Sequence, residues 1–106
     1  MGQPGSVHFV VRFRGGDFDR RKAAFDEHEP VRVKHGAVGH WIARCIDDPN
    51  EFIAVVEFTS RGGARAYAGD ADRLDVQRAI MVEGGPHQKT WDESIHETVS
   101  MVRYAQ

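Results

Sequence analysis

Ala37-Val38-Gly39-His40-Trp41-Ile42-Ala43-Arg44-Cys45-Ile46-Asp47-Asp48-Pro49-Asn50-Glu51-Phe52-Ile53-Ala54-Val55-Val56-Glu57-Phe58 decides the fold. Two strand-like segments flank the turn Asp47-Asp48-Pro49-Asn50, where proline's fixed φ and asparagine's tolerance of left-handed geometry favour chain reversal. The first, Val38 to Ile46, sets Val38, His40, Ile42, Arg44 and Ile46 on one face and Gly39, Trp41, Ala43 and Cys45 on the other, by the alternation of an extended chain. The second runs from Phe52 to Thr59, and its Phe52-Ile53-Ala54-Val55-Val56 core is apolar on both faces. A sheet buried on both sides needs two covers.

Working outward, Val7, Phe9, Val11 and Phe13 alternate with His8, Val10, Arg12 and Arg14, which predicts a strand ended by Gly15-Gly16. Asp17 is placed to cap a first helix carrying Phe18, Arg21 or Lys22, Phe25 and His28 or Glu29 along one face. Pro30 kinks or restarts that helix, with a last turn or two over Val31 to His35 closed by Gly36. After the hairpin, Ser60 caps a second helical region, broken around Gly69-Asp70 and stopped by Gly84-Gly85-Pro86. A final strand from about His87 to Val99 follows, with an extension, Met101 to Tyr104, expected to reach a partner subunit. The order strand, helix, strand, strand, helix, strand predicts an α+β, ferredoxin-like βαββαβ unit with a four-stranded antiparallel sheet. Two helical crossovers cover one face of that sheet; the other packs against a second copy or encloses a ligand.

The chain has 106 residues, enough for one domain spanning the whole of it, and at that size roughly 60 to 70 per cent of the unfolded surface is buried by a monomer. Association therefore helps it. Fourteen Lys+Arg against 16 Asp+Glu, interspersed, argue against nucleic acid as a partner. No apolar run is long enough to span a membrane. The single Cys45 is read as a small core residue in a reducing compartment, giving a cytoplasmic expectation. Residues 1–6 match the N-myristoylation template by letter, with Pro4 inside it, and are read as a flexible leader.

Residues 7 to 98 resemble the dimeric α+β barrel superfamily, typified by antibiotic biosynthesis monooxygenases and small polyketide-modifying enzymes. The segments that carry the resemblance are Gly16-Asp17-Phe18-Asp19 leading into Ala24-Phe25-Asp26-Glu27-His28, then Gly39-His40, then Asp47-Asp48-Pro49-Asn50-Glu51, and finally Glu57-Phe58-Thr59-Ser60 before Ala64-Arg65-Ala66-Tyr67. The resemblance implies a homodimer with facing sheets, a small-molecule pocket between sheet and helices, and an aromatic or polyketide-like ligand. Its members include oxygenases, isomerases, cyclases and proteins without known activity, so it leaves the reaction open. The chain departs from the pattern at Arg21, where many relatives carry tryptophan, and in its longer tail over 99–106.

Six histidines supply candidates for proton transfer near neutral pH. His40, mid-strand on the segment that the resemblance sets near the pocket, leads; His28, on the first helix, and His8, on the first strand, follow. Each is also readable as a hydrogen-bonded structural group, and His35 and His87, at element ends, as solvent-facing. Trp41, Trp91 and Tyr67 could line a pocket for a flat ligand, with Arg12 or Arg44 holding a developing oxyanion. No ligand spacing calls for a metal, and no glycine pair forms a phosphate loop, so no cofactor is expected. Two functions fit: an enzyme performing cofactor-free oxygenation or proton-transfer cyclisation or isomerisation, and a non-catalytic ligand-binding or stress-related dimer.

Overall fold

The computed structural model describes residues 6–83 and 89–105. Strand β1 (Val7–Arg14) leads to helices α1 (Phe18–Glu27) and α2 (Glu29–Lys34), then strands β2 (Ala37–Arg44) and β3 (Phe52–Phe58), helices α3 (Arg61–Ala68) and α4 (Ala71–Val82), and strand β4 (Thr90–Glu97). The strands form one antiparallel sheet in the order β2-β3-β1-β4. This is the predicted βαββαβ arrangement, with each helical crossover split in two.

Local chemistry explains the splits. The Asp17 carboxylate accepts the backbone N–H of Asp19 at 2.9 Å and caps α1. Pro30 has no N–H to give to the helix before it, so it sits in the first turn of α2, where none is needed. Gly36, with φ of 96°, turns the chain into β2 in a conformation that a side chain would oppose. Ser60 Oγ accepts from the Gly63 N–H at 3.0 Å, and Asp70 Oδ1 from the Arg73 N–H at 3.2 Å, capping α3 and α4. The predicted glycine-proline stop at 84–86 and His87 lie outside the described residues, as does the leader over 1–5.

Packing falls on one face of the sheet. Val7, Phe9, Val11 and Phe13 of β1 and Phe52, Ala54, Val56 and Phe58 of β3 point to the helices and are almost wholly buried with Phe25, Ala64 and Tyr67. Phe9 and Phe58 meet the Tyr67 ring at centroid distances of 5.3 and 5.5 Å. On the other face Val55 is only 8 % exposed in the single chain, because Val10 and Trp41 stand opposite it in the flanking strands. Its burial therefore comes from lateral neighbours and needs no second cover.

Several local expectations are corrected. β2 ends at Arg44, so Ile46 is in the turn and fully exposed, and Cys45, expected in the core, is half-buried beyond the strand. Asn50 does not use left-handed geometry; its Oδ1 accepts the N–H of Phe18 at 3.2 Å, binding the hairpin turn to the start of α1. His35 is not solvent-facing, since its Nε2 lies 3.1 Å from Asp70 Oδ2. The tail beyond Thr98 takes no regular structure, and Val99, Val102 and Tyr104 are exposed.

Candidate active site

A bulge at the start of β2 orients the site. Ala37 pairs with Phe58 and Gly39 with Glu57, leaving Val38 as an extra residue that reverses the parity of the strand. His40, Ile42 and Arg44 are thereby aligned with Val56, Ala54 and Phe52 on the helix side, while Trp41 and Ala43 align with Val55 and Ile53 on the opposite side.

His40 lies at the mouth of a pocket of about 150 Å3 between β2 and α2, lined also by Glu29, Arg32, Val33, Val38 and Val56. Its ring meets Phe25 edge to face at 5.0 Å. Partial burial, and next the charge of Arg32, push the His40 pKa below its ordinary 6.5, which favours the neutral form that a general base needs. Arg32 is only 2 % exposed: Nη1 donates to the Phe25 carbonyl at 2.7 Å, the guanidinium lies 3.6 Å from the Phe25 ring centre, and Nη2 has no hydrogen-bond partner among the described residues.

A second cluster adjoins it behind Phe25. His28 Nδ1 donates to the Ala24 carbonyl at 2.7 Å, which leaves Nε2 as the basic nitrogen, and the residue borders a cavity of about 10 Å3 with Tyr67, Arg73 and Gln77. That volume holds about one water molecule. Arg73 is buried over the rings of Tyr67, at 4.7 Å, and Phe9, at 5.0 Å. It donates to the Ala68 carbonyl and to Glu93, whose carboxylate also accepts from Trp91 Nε1. Burial holds the Arg73 pKa below the usual guanidinium range, opposed in part by Tyr67.

The residues singled out from the sequence thus separate into two groups. His40, His28, Tyr67, Trp91 and Arg44 belong to the helix side; His8, Arg12 and Trp41 lie on the opposite face and cannot join His40 within one subunit. His8 Nδ1 shares a hydrogen bond with Thr98 Oγ1 at 2.8 Å. Arg44 lies over the Phe18 ring at 4.7 Å, four residues or roughly 13 Å of strand from His40, too far to act on the same small group. The pocket arginine is Arg32, which sequence reasoning missed. Its signal was present: Arg21, Phe25, His28 and Arg32 recur at helical spacing on one face, but Pro30 interrupts the pattern. Among the described residues no group of three or more His, Cys, Asp or Glu side chains is arranged to hold a metal ion.

No protein-family model and no curated protein sequence matches the chain. Solved structures do. SnoaB from Streptomyces nogalater, a cofactor-independent oxygenase, superposes with a TM-score of 0.74 at 18% identity, over 94% of this chain and 99% of that one. The chain has the fold of the antibiotic biosynthesis monooxygenase-like proteins. One such monooxygenase aligns over 89% of this chain and 99% of its own with a TM-score of 0.66 and 9% identity. Protein SO0527 from Shewanella oneidensis gives 0.61 at 13% identity, over 89% and 95% of the two chains. In this monooxygenase-like fold the present chain keeps its ionisable pocket groups, His40 and Arg32, where α2 meets the edge strand β2. No helix among the described residues is long and apolar enough to cross a membrane.

Proposed function

We propose that the protein is a homodimeric, cofactor-independent oxygenase acting on an aromatic, polyketide-like metabolite in the cytoplasm, with His40 as the general base. The observation that carries this reading is the placement of His40 in one pocket with the buried Arg32, where partial burial and that charge lower the imidazole pKa. The similarity to SnoaB supports the oxygenase class, and the single free cysteine fits the compartment.

The chemistry needs no external electron donor. His40 Nε2 or Nδ1 takes a proton from an acidic ring CH2 of the substrate, and the carbanion reduces O2 to form a carbon–oxygen bond. Loss of the second hydrogen and cleavage of the O–O bond leave a carbonyl in the product and release one water. The CH2 carbon gives up four electrons and both of its hydrogens: one oxygen atom becomes the carbonyl oxygen and the other leaves as water with the two hydrogens. His28, with its Nδ1 proton committed to Ala24, is the second candidate base. Trp91 and Tyr67 support the interior wall, and the open face bearing Trp41, Ile53 and Val10 receives the partner subunit.

The test is oxygen uptake by the metal-free, flavin-free protein with a hydroxylated tricyclic aromatic that carries an acidic ring CH2. One O2 consumed per product carbonyl supports the proposal. Product formed without oxygen assigns cyclisation or isomerisation instead, and binding without turnover assigns a ligand-binding dimer. Sedimentation at micromolar concentration should give twice the chain mass; a stable monomer rejects the homodimer.

A further inference from the structure

The two edge strands of the sheet are protected unequally. β4 carries Asp92, Glu93 and Glu97, and charges of this kind keep an exposed edge from pairing with other chains. β2, at the opposite edge, has no acidic, lysine or arginine side chain from Ala37 to Ala43, yet Val38, Gly39, His40, Trp41 and Ala43 are all exposed. Beside it Val33 and Val38, at the mouth of the His40 pocket, are 61 % and 62 % exposed, and Glu29 forms no ion pair among the described residues. The tail beyond Thr98 has the matching character. Val102 and Tyr104 are 70 % and 86 % exposed, Arg103 between them forms no ion pair among the described residues, and no acidic side chain occurs over 98–105. One segment thus offers apolar groups around a positive charge, and the pocket mouth offers apolar groups beside a negative one.

We infer that the tail of a second copy lies along the β2 edge and closes the pocket, with the second copy's Val102 and Tyr104 against Val33 and Val38 and its Arg103 beside Glu29. Apolar cover supplies the attraction, and the ion pair sets the register. The pairing of the strands makes the approach short. Val7 pairs with Glu97 on one side and with Phe58 on the other, and Phe58 pairs with Ala37, so the tail leaves β4 at the level where β2 begins. With the open faces together about a two-fold axis along the strands, β4 of one copy lies over β2 of the other at the usual sheet separation of about 10 Å. About three or four extended residues cross that gap, which brings Val102 to Tyr104 to the pocket mouth. Within one chain the tail would instead run over Val10 and Val55, across about 14 Å of the face that receives the second copy. The inference rests on the homodimer of the proposed function and adds that each pocket is complete only when the other chain closes it.

The test uses mixed dimers of the full chain, isolated through two different affinity tags, with Cys45→Ser in both chains. One chain carries a nitroxide on Ala105→Cys and no isotope; the other is 15N-labelled and carries no nitroxide. Paramagnetic broadening of the labelled chain should be strongest at the amides of Val33, Val38, Gly39 and His40. Broadening centred elsewhere, or present at these residues only when nitroxide and isotope share a chain, would overturn the inference. Sedimentation of the same sample separates the two levels: a monomer removes the homodimer and the inference with it, whereas a dimer whose pocket amides stay sharp removes the tail contact alone. A charge exchange supplies the second measurement. Arg103→Glu should weaken dimerisation about fivefold, because two symmetric exposed pairs become repulsive, and adding Glu29→Arg to the same chain should restore it. A loss that Glu29→Arg leaves unrestored, or no loss at all, counts against the tail contact.

Discussion

On the helix side of the sheet Phe9, Phe13, Phe52 and Phe58 are almost wholly buried, while on the reverse side Val10 and Ile53 are half-buried and Trp41 is 54 % exposed. The same β1 and β3 residues alternate between the two, so propensity does not distinguish them. What differs is the cover. Among the described residues four helices, three buried arginines over aromatic rings and a histidine pocket occupy the first face; the second carries hydrogen-bonded histidines, His8 and His96, and an apolar centre around Val55. The buried ionisable groups gather where the chain covers itself, and the face it does not cover is left open.

The strongest challenge to this division is a pair of histidine replacements. His40→Ala should lower turnover by about two to four orders of magnitude with the dimer intact, whereas His8→Ala on the reverse face should change it severalfold at most. Comparable losses from both would erase the functional distinction between the faces. A stability comparison comes next. Phe58→Ala removes a fully buried ring packed on Tyr67 and should cost about 3–5 kcal/mol in urea unfolding. Trp41→Ala should cost about 1 kcal/mol or less in the monomer and act mainly by shifting sedimentation towards the single-chain mass.

Two adjacent glycines offer a finer contrast. A Cβ on Gly63 would overlap the backbone oxygen of His35, so Gly63→Ala should destabilise by about 1–3 kcal/mol. Nothing lies within 4 Å of the corresponding position at Gly62, and Gly62→Ala should stabilise by up to about 1 kcal/mol through helix propensity. Thermal unfolding of the two variants reads both signs. The smallest effect concerns pH. Because the folded state lowers the His40 pKa, the folded protein holds fewer protons than the unfolded chain between that value and 6.5, and this contribution to stability is present above 6.5 and lost as pH falls through the folded value. The acid limb of the rate profile should lie below 6.5, and Arg32→Met should move it upward by removing a repelling charge.

The element order and the inner face were legible because they rest on period-two alternation, on the caps Asp17 and Ser60, and on the breaks at Pro30 and Gly69. The site was legible only in part. His40 was found as an ionisable group in an apolar strand, but its neighbours depend on the bulge at Val38, and an unpaired residue in a strand leaves no mark in the alternation it resets. Arg12 and Arg44 attracted attention as charges on apolar strands, and one is on the reverse face while the other is at the far end of β2. Arg32 and Arg73 were hidden because arginine on a helix is usually solvated, and nothing in the chain announces that Phe25 or Tyr67 will stack on it.

The close approach at Gly63 reaches further than stability. Helix α3 touches the end of α2 through main-chain atoms, with no side chain between them to yield, so the wall that carries Arg32 is spaced by the chain's own thickness. The size of the pocket is then fixed from a distance, by a residue that never meets a ligand. A change of substrate in this lineage could begin at position 63: each carbon added there would wedge α2 outward from β2 and widen the pocket before any lining residue had changed.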